Sequence, residues 1–158
     1  MFRQLGHTLV ETAEEFTRPE RLDDKVLVRS QSWPVIAPRG VAMPTVLIVE
    51  DEFLIRDMLK EELEDAGYQV IPVSDADQAI RVLEARQDIH LIFTDINMPG
   101  SMDGLRLAAF VNDRWPPVHI IVTTGRAKPL SLPPNALFIP KPYLGSNVVA
   151  AMQTFANM

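Results

Sequence analysis

The chain contains no cysteine, so disulfide frameworks and thiolate metal sites are both excluded. No apolar run approaches the roughly 20 residues of a membrane-spanning helix, and the N-terminus lacks the apolar core of a signal peptide. These absences predict a cytoplasmic protein without a membrane partner.

An excess of positive charge is also missing. Against 15 Lys and Arg residues the chain has 21 Asp and Glu residues, which gives a formal net charge of -6. A protein that binds nucleic acid non-specifically needs a basic face, so we expect no nucleic-acid partner. Neither a G-x-G-x-x-G motif nor a P-loop lysine motif occurs, which argues against nucleotide binding.

What is present suits one globular domain with an appendage, because 47% of the 158 residues are hydrophobic and 23% are charged. Residues 1–43 carry equal numbers of acidic and basic groups and are interrupted by Pro19, Pro34, Pro38 and Gly40. We expect an N-terminal extension over residues 1–43 that is largely disordered or loosely attached, with a short partner-binding helix as the alternative. Residues 44–158 would then form the domain.

From Thr45 onward strands alternate with helices, the pattern of a parallel sheet covered on both faces. Pro72 indicates that the second strand lies at an edge of the sheet. Three prolines follow the fourth strand and disfavour an ordinary helix, so a loop is expected over residues 124–135. Predicted strands lie at about 45–50, 68–73, 89–94, 118–122 and 137–139. Predicted helices lie at about 52–66 and 75–85, between the 97–104 loop and Trp115, and at about 145–156.

Four polar signals fall where predicted strands end: Glu50-Asp51, Asp95, Thr123 and Lys141. An ionised carboxylate at the end of an apolar strand, such as Asp95, needs a cation or several N–H donors. The carboxyl ends of parallel strands border the crevice in which open α/β sheets bind ligands. Three carboxylates gathered there repel one another unless a divalent cation joins them, and Mg²⁺ suits oxygen ligands best.

This arrangement resembles the receiver domain of two-component response regulators over about residues 45–156. The family's acidic pair is matched by Glu50 and Asp51, its phosphate-accepting aspartate by Asp95 within T-D-I-N-M-P-G, its hydroxyl residue by Thr123, and its lysine before proline by Lys141. The resemblance implies an α/β fold with a flavodoxin-like, doubly wound, five-stranded parallel sheet. The strand order 2-1-3-4-5 comes from the resemblance alone. The family's helix between strands four and five is expected to be short or replaced by a loop.

The resemblance also implies a ligand set for the metal. Mg²⁺ would be bound by Asp51, Asp95 and the backbone carbonyl of Asn97, with Glu50 acting through water. Such an ion would offset the charge that a phosphoryl donor brings to an acidic site.

Three further residues receive roles from the same resemblance. Asp95 would attack phosphorus, while Lys141 and Thr123 each contact an oxygen of the phosphoryl group. Phe138 stands three residues before Lys141, where receivers often carry a switching aromatic, and core packing is the alternative.

We therefore expect a stand-alone receiver, phosphorylated on Asp95 by a histidine kinase or histidine phosphotransferase in a magnesium-dependent phosphorelay. It would assist its own phosphorylation and dephosphorylation and would otherwise not be an enzyme. Since no output domain follows the last helix in the sequence, the signal is expected to pass by docking to an unidentified downstream protein or by onward phosphotransfer. Formation of a homodimer is left open.

Two alternatives stand beside this reading. The first is a receiver-like binding module that works without phosphorylation, although the complete set of polar residues argues against it. The second is a phosphohydrolase or phosphotransferase with an aspartate nucleophile. Such enzymes usually have a second aspartate two residues beyond the nucleophile, where this chain has Asn97.

Overall fold

The protein is described over residues 43–156 by a computed structural model. The extension predicted for residues 1–43 lies, apart from Met43, outside the described residues, and its division from a 44–158 domain stays a prediction. Within residues 43–156, no helix combines the length and the apolar character that crossing a bilayer requires.

Five strands form one parallel sheet in the order β2-β1-β3-β4-β5, which confirms the flavodoxin-like prediction. The edge position of β2 explains how Pro72 is tolerated, since an edge strand can lack one N–H donor. β4 is longer than predicted and includes both Thr123 and Thr124. The strands are β1 (Thr45–Val49), β2 (Gln69–Val73), β3 (Ile89–Asp95), β4 (His119–Thr124) and β5 (Ala136–Pro140).

Four helices cover the sheet within the described residues: α1 (Phe53–Asp65), α2 (Ala76–Ala85), α3 (Gly104–Arg114) and α4 (Gly145–Ala156). Each face of the sheet carries its own apolar core, because side chains alternate between faces along every strand. On one face α2 and α3 pack through Leu83 and Leu107, and on the other α1 and α4 pack through Leu63 and Met152. This three-layer arrangement leaves the carboxyl ends of the strands open.

Local sequence signals define the helix ends. Asp75 caps α2 by accepting a hydrogen bond from the backbone N–H of Gln78 at 2.8 Å, and Asp103 caps α3 through Arg106 in the same way. Gly67 follows Ala66, the C-cap residue of α1, and its φ of 95° is a conformation that favours glycine. The two caps therefore fix where α2 and α3 begin, and Gly67 lets the chain turn from α1 towards β2.

No helix connects β4 to β5, as predicted from the prolines of this segment. The connection is held by other contacts: the Asn135 amide donates to the Val118 carbonyl at 2.9 Å, and Leu132 packs against the core under α2 and α3. The family's helix at this point is therefore replaced by a loop over residues 125–135.

The start of α3 lies against the end of β3. A Cβ atom added to Gly104 would overlap the carbonyl group of Asp95 and would come within 2.7 Å of the Thr94 hydroxyl oxygen. Only glycine allows this approach, so α3 and the backbone of Asp95 are positioned together.

Replacing Gly104 by alanine should lower the free energy of unfolding by about 1–3 kcal/mol, because the added methyl group forces backbone to move. Equilibrium urea unfolding of the two proteins measures the difference. Gly125→Ala is the matched control, since a Cβ there meets no heavy atom within 4 Å. Equal stabilities for the two variants would contradict the close packing of α3 on β3.

Candidate functional site

All the polar residues singled out at strand ends lie at the carboxyl edge of the sheet. Glu50 and Asp51 follow β1, and Asp95 ends β3, its neighbour. Asp95 pairs in register with Thr123 of β4, and Lys141 follows β5 directly. Parallel pairing therefore gathers residues that are far apart in the sequence.

Three carboxylates meet at this edge. Glu50, Asp51 and Asp95 each offer one oxygen, and these oxygens all lie within 4.8 Å of one another. Glu50 is 1% exposed and Asp95 is 5% exposed, whereas Asp51 is exposed to solvent. Two of the three carboxylates are thus buried, and the third faces solvent.

The Lys141 ammonium lies between the two buried carboxylates. Its Nζ donates to Asp95 Oδ2 at 2.7 Å and to Glu50 Oε2 at 2.9 Å. Burial by itself lowers the pKa of Lys141, but the hydrogen bonds and charges of Asp95 and Glu50 outweigh it and raise the pKa above its ordinary value. Lys141 is therefore charged at neutral pH and ties β5 to β3 and β1.

The other oxygens of these carboxylates meet backbone N–H groups. Asp95 Oδ1 accepts a hydrogen bond from Asn97 N–H at 3.1 Å, and Glu50 Oε1 accepts one from Glu52 N–H at 3.2 Å. The Arg56 guanidinium donates to the Glu50 carbonyl oxygen at 2.6 Å and so holds the loop between β1 and α1. The turns that follow β1 and β3 are thereby fixed in place.

The charges at this edge suit a divalent cation. Burial raises the pKa of Glu50, even though Lys141 and the Glu52 N–H act in the opposite direction. Three carboxylates and one ammonium give this cluster a net charge of about -2. A hard cation with oxygen ligands would offset that charge, so the residues present fit Mg²⁺.

The hydroxyl groups at the end of β4 lie in different surroundings. The Thr123 hydroxyl, predicted to serve the site, is completely buried and has no hydrogen-bond partner within residues 43–156. The Thr124 oxygen instead accepts from the Asn97 side-chain amide at 2.6 Å and from Arg126 N–H at 3.1 Å. Since the Asn97 backbone also binds Asp95, the hydrogen bonds connect Thr124 to the site.

Phe138 lies in β5 opposite Val122 and is half-buried. It does not belong to either apolar core, whereas its neighbours Leu137 and Ile139 pack into the core under α1 and α4. Thr124 lies two residues beyond Val122, so strand alternation puts Thr124 and Phe138 on the same face. This arrangement does not favour core packing, the alternative role for Phe138.

Comparison with known proteins identifies the family. Residues 46–133 match the family model described as the response regulator receiver domain, which is more than half of the chain. The chain belongs to this family. Receiver domains act in two-component signalling as phosphoacceptors, bind Mg²⁺ at an acidic pocket and interact with histidine kinases or phosphotransferases.

Two curated relatives resemble this receiver over about half of its length. The response regulator protein FleR of Pseudomonas aeruginosa is 37% identical over 79 residues, which is 50% of this chain and 16% of that protein. The aerobic respiration control protein ArcA of Escherichia coli is 39% identical over 83 residues, which is 52% of this chain and 34% of that protein. The match therefore covers only a minor part of either relative.

Solved receiver structures share the fold. A CheY-like receiver domain protein from Methanospirillum hungatei is 25% identical with a TM-score of 0.67, and the match covers 73% of this chain and 95% of that one. The receiver domain of a histidine kinase from Syntrophus aciditrophicus is 27% identical with a TM-score of 0.64, and the match covers 72% and 90%. A receiver protein from Sinorhizobium medicae has the same fold, with a TM-score of 0.67 and 24% identity. The match covers 75% of this chain and 98% of that one.

Sequence reasoning missed two residues of this receiver's site, Thr124 and Arg56. Thr124 stands beside another threonine, and choosing between them requires the hydrogen bonds and the face on which each one lies. Arg56 resembles any charged residue in the first turn of an amphipathic helix, and no signal in the sequence connects it with the Glu50 carbonyl.

Replacing Lys141 by methionine should lower the free energy of unfolding by about 2–3 kcal/mol at pH 7 without added metal, because two buried carboxylates lose their counter-charge. Urea unfolding measures the loss. Folding raises the pKa of Lys141 above its ordinary value of 10.5. The stabilisation that the Lys141 ion pairs provide is therefore complete at pH 7 and is lost only as the pH rises above 10.5 and through the raised pKa.

Lys60→Met is the control for this variant. Lys60 forms an exposed ion pair with Glu64 at 2.9 Å, which water and salt screen, so its removal should change stability little. If the two variants were equally stable at pH 7, the ion pairs of Lys141 would have no structural role.

Proposed function

We propose that this chain is a phosphorylated signalling receiver in which Asp95 accepts a phosphoryl group from a phosphohistidine of a histidine kinase or phosphotransferase. The observation that supports the proposal most is the contact of the Asp95 carboxylate with the Lys141 ammonium at 2.7 Å, within an acidic cluster at the carboxyl edge of the sheet. Family membership supplies the general activity, and these residues supply the position at which it would occur.

The transfer uses groups that this site holds. An oxygen of Asp95 forms a bond to phosphorus while the bond between phosphorus and the donor nitrogen breaks, and the electron pair of that bond leaves with the imidazole. Lys141 donates hydrogen bonds to a phosphoryl oxygen and stabilises its negative charge. Positioning and charge account for most of such a reaction, so none of these residues needs to act as a general base.

The acidic cluster would hold a magnesium ion. Asp51, Asp95 and the carbonyl oxygen of Asn97 are the proposed ligands, with Glu50 acting through water. When bound, the ion supplies positive charge that reduces repulsion between the acidic site and the incoming phosphoryl group.

A hydroxyl group at the end of β4 would respond to the phosphoryl group, and hydrogen bonding favours Thr124 for this role over the Thr123 predicted from sequence. Thr124 accepts both of its observed hydrogen bonds, so its own O–H hydrogen is available to a phosphoryl oxygen. Phe138, half-buried on the same face of the neighbouring strand, would report the change to the surface.

The output would pass through another protein or by onward phosphotransfer. With a loop over residues 125–135 in place of a helix, the surface beside β5 differs from one built around a helix. We propose that this loop and the exposed part of Phe138 carry the signal to a downstream partner.

Incubation with Mg²⁺ and an acyl phosphate should attach one phosphoryl group to the wild-type protein and none to Asp95→Asn, because the amide is a poor nucleophile. Intact-protein mass spectrometry measures the product. Asp77→Asn is the control, since Asp77 is an exposed carboxylate that hydrogen-bonds Ser101 outside the acidic cluster.

Label on Asp95→Asn at the wild-type level would show that Asp95 is not the acceptor. A folded wild-type protein that takes no label from an acyl phosphate or from a phosphorylated kinase would instead support the binding module that works without phosphorylation.

The two threonines can be separated by valine variants, which remove the hydroxyl and keep the shape. Thr124→Val should reduce the amide chemical-shift changes that phosphorylation causes around Phe138. Thr123→Val should leave them intact and raise stability by about 1 kcal/mol, because it removes a buried hydroxyl without a partner. The reverse result would return the role to Thr123.

A further inference from the structure

A groove runs between α1 and α4. Its upper end, which is the end at the carboxyl edge of the sheet beside Lys141, is apolar. There a cavity of about 450 Å³ is lined by Ile55, Met58, Leu59, Tyr143 and Leu144 and reaches Lys141. Met58 is 63% exposed and Leu144 is 67% exposed, which is costly for side chains of this size. Exposed apolar surface around a cavity is typical of a surface that another segment covers.

The lower end of the α1–α4 groove is acidic. A second cavity of about 430 Å³ lies there, with Glu62 and Asp65 on the α1 side and Val149 and Gln153 on the α4 side. Glu62 lines both cavities and packs against Gly145 of α4, so the two cavities are adjacent and Glu62 lies between them. An occupant that covers both cavities should be apolar at one end and positively charged at the other.

The first described residue, Met43, lies near the C-terminal end of α1. A Cβ atom added to Gly67, just after α1, would lie 3.1 Å from the terminal methyl group of Met43. Met43 therefore lies at the C-terminal end of α1, whose residues Asp65 and Ala66 line the lower cavity.

The sequence of that preceding segment matches the groove in charge and character. Residues 25–42 contain Lys25, Arg29 and Arg39 and no acidic residue, so they carry a net charge of +3. Trp33-Pro34-Val35-Ile36 forms an apolar run in the middle of the segment. The charge is opposite to that of the groove, and the apolar run corresponds to its upper cavity.

The length of the segment also suffices. α1 has 13 residues and is therefore about 20 Å long. The ten residues from Trp33 to Ala42 span at most about 33 Å when extended, so the apolar run can reach Met58 and Leu144 from Met43.

We propose that residues 25–42 of this chain dock in the α1–α4 groove, with the run Trp33 to Ile36 in the upper cavity and Arg39 beside Glu62 and Asp65. Docking covers the apolar surface next to Lys141 and connects the N-terminal segment to the edge of the acidic site. The contact would exist whether or not Asp95 is phosphorylated, so it can be tested independently.

A chain without native cysteine allows a direct test by cross-linking, because two introduced thiols are then the only ones present. In the 158-residue chain, oxidation of Val35→Cys with Met58→Cys should give an intrachain disulfide. The control pair, Val35→Cys with Leu130→Cys, joins the same segment to a fully exposed leucine in the 125–135 loop.

The docked pair should form its disulfide at least about tenfold faster than the control pair, because docking raises the effective concentration of one thiol near the other. Non-reducing electrophoresis at low protein concentration separates intrachain from interchain products. Equal rates for the two pairs would overturn the proposal. Predominantly interchain products would overturn it as well, because a second copy would then be the occupant.

Charge variants test the electrostatic part of the contact. Glu62→Lys in the first cysteine pair should slow disulfide formation severalfold, since it puts a positive charge beside the cationic segment. Glu84→Lys is the control, because it makes the same charge change at an exposed position on α2. Equal slowing by both variants would contradict docking in this groove, and circular dichroism shows whether each variant is folded.

Discussion

The site depends on one interaction, the Lys141 ammonium held between the buried carboxylates of Glu50 and Asp95. Buried carboxylates at neighbouring strand ends repel one another and lose hydration, so they need positive charge at short distance. Lys141, which follows β5 on the other side of β4, supplies one positive charge. Asp51 faces solvent, where a bound cation would supply further positive charge. The edge of the sheet thus pairs its two buried carboxylates with one ammonium and keeps a net negative charge that suits a cation such as Mg²⁺.

The fold makes this interaction possible through strand order. β1 and β3 are central and adjacent, which puts the acidic pair beside Asp95, while the crossover connections turn every strand in the same direction. Gly104 lets α3 begin against the Asp95 carbonyl, and the backbone N–H of Asn97 binds the carboxylate itself. Packing and chemistry therefore use the same few residues at the end of β3.

The surface around the site differs from one face to the other. Beside β5 the chain has a loop over residues 125–135 and a half-buried Phe138, and on the opposite face it has the apolar and acidic α1–α4 groove. The first surface would suit a partner that reads the state of the site. The second has the charge and size for the cationic segment that precedes β1.

The sequence by itself determined the elements, the location of the acidic site and the loop in place of a helix. Apolar runs that end at Asp95 and before Glu50, helix caps such as Asp75, and clustered prolines are local signals, and local sterics and hydrogen bonds make them readable. The strand order followed from resemblance to the receiver family.

Only the tertiary structure decided which hydroxyl is hydrogen-bonded to the site. Thr123 and Thr124 are adjacent, and a shift of one residue along a strand moves a side chain to the other face, so composition and spacing cannot separate them. Contacts that cross between strands, such as Thr124 with Asn97, and contacts between a helix and a loop, such as Arg56 with the Glu50 carbonyl, depend on distances that exist only after the chain has folded.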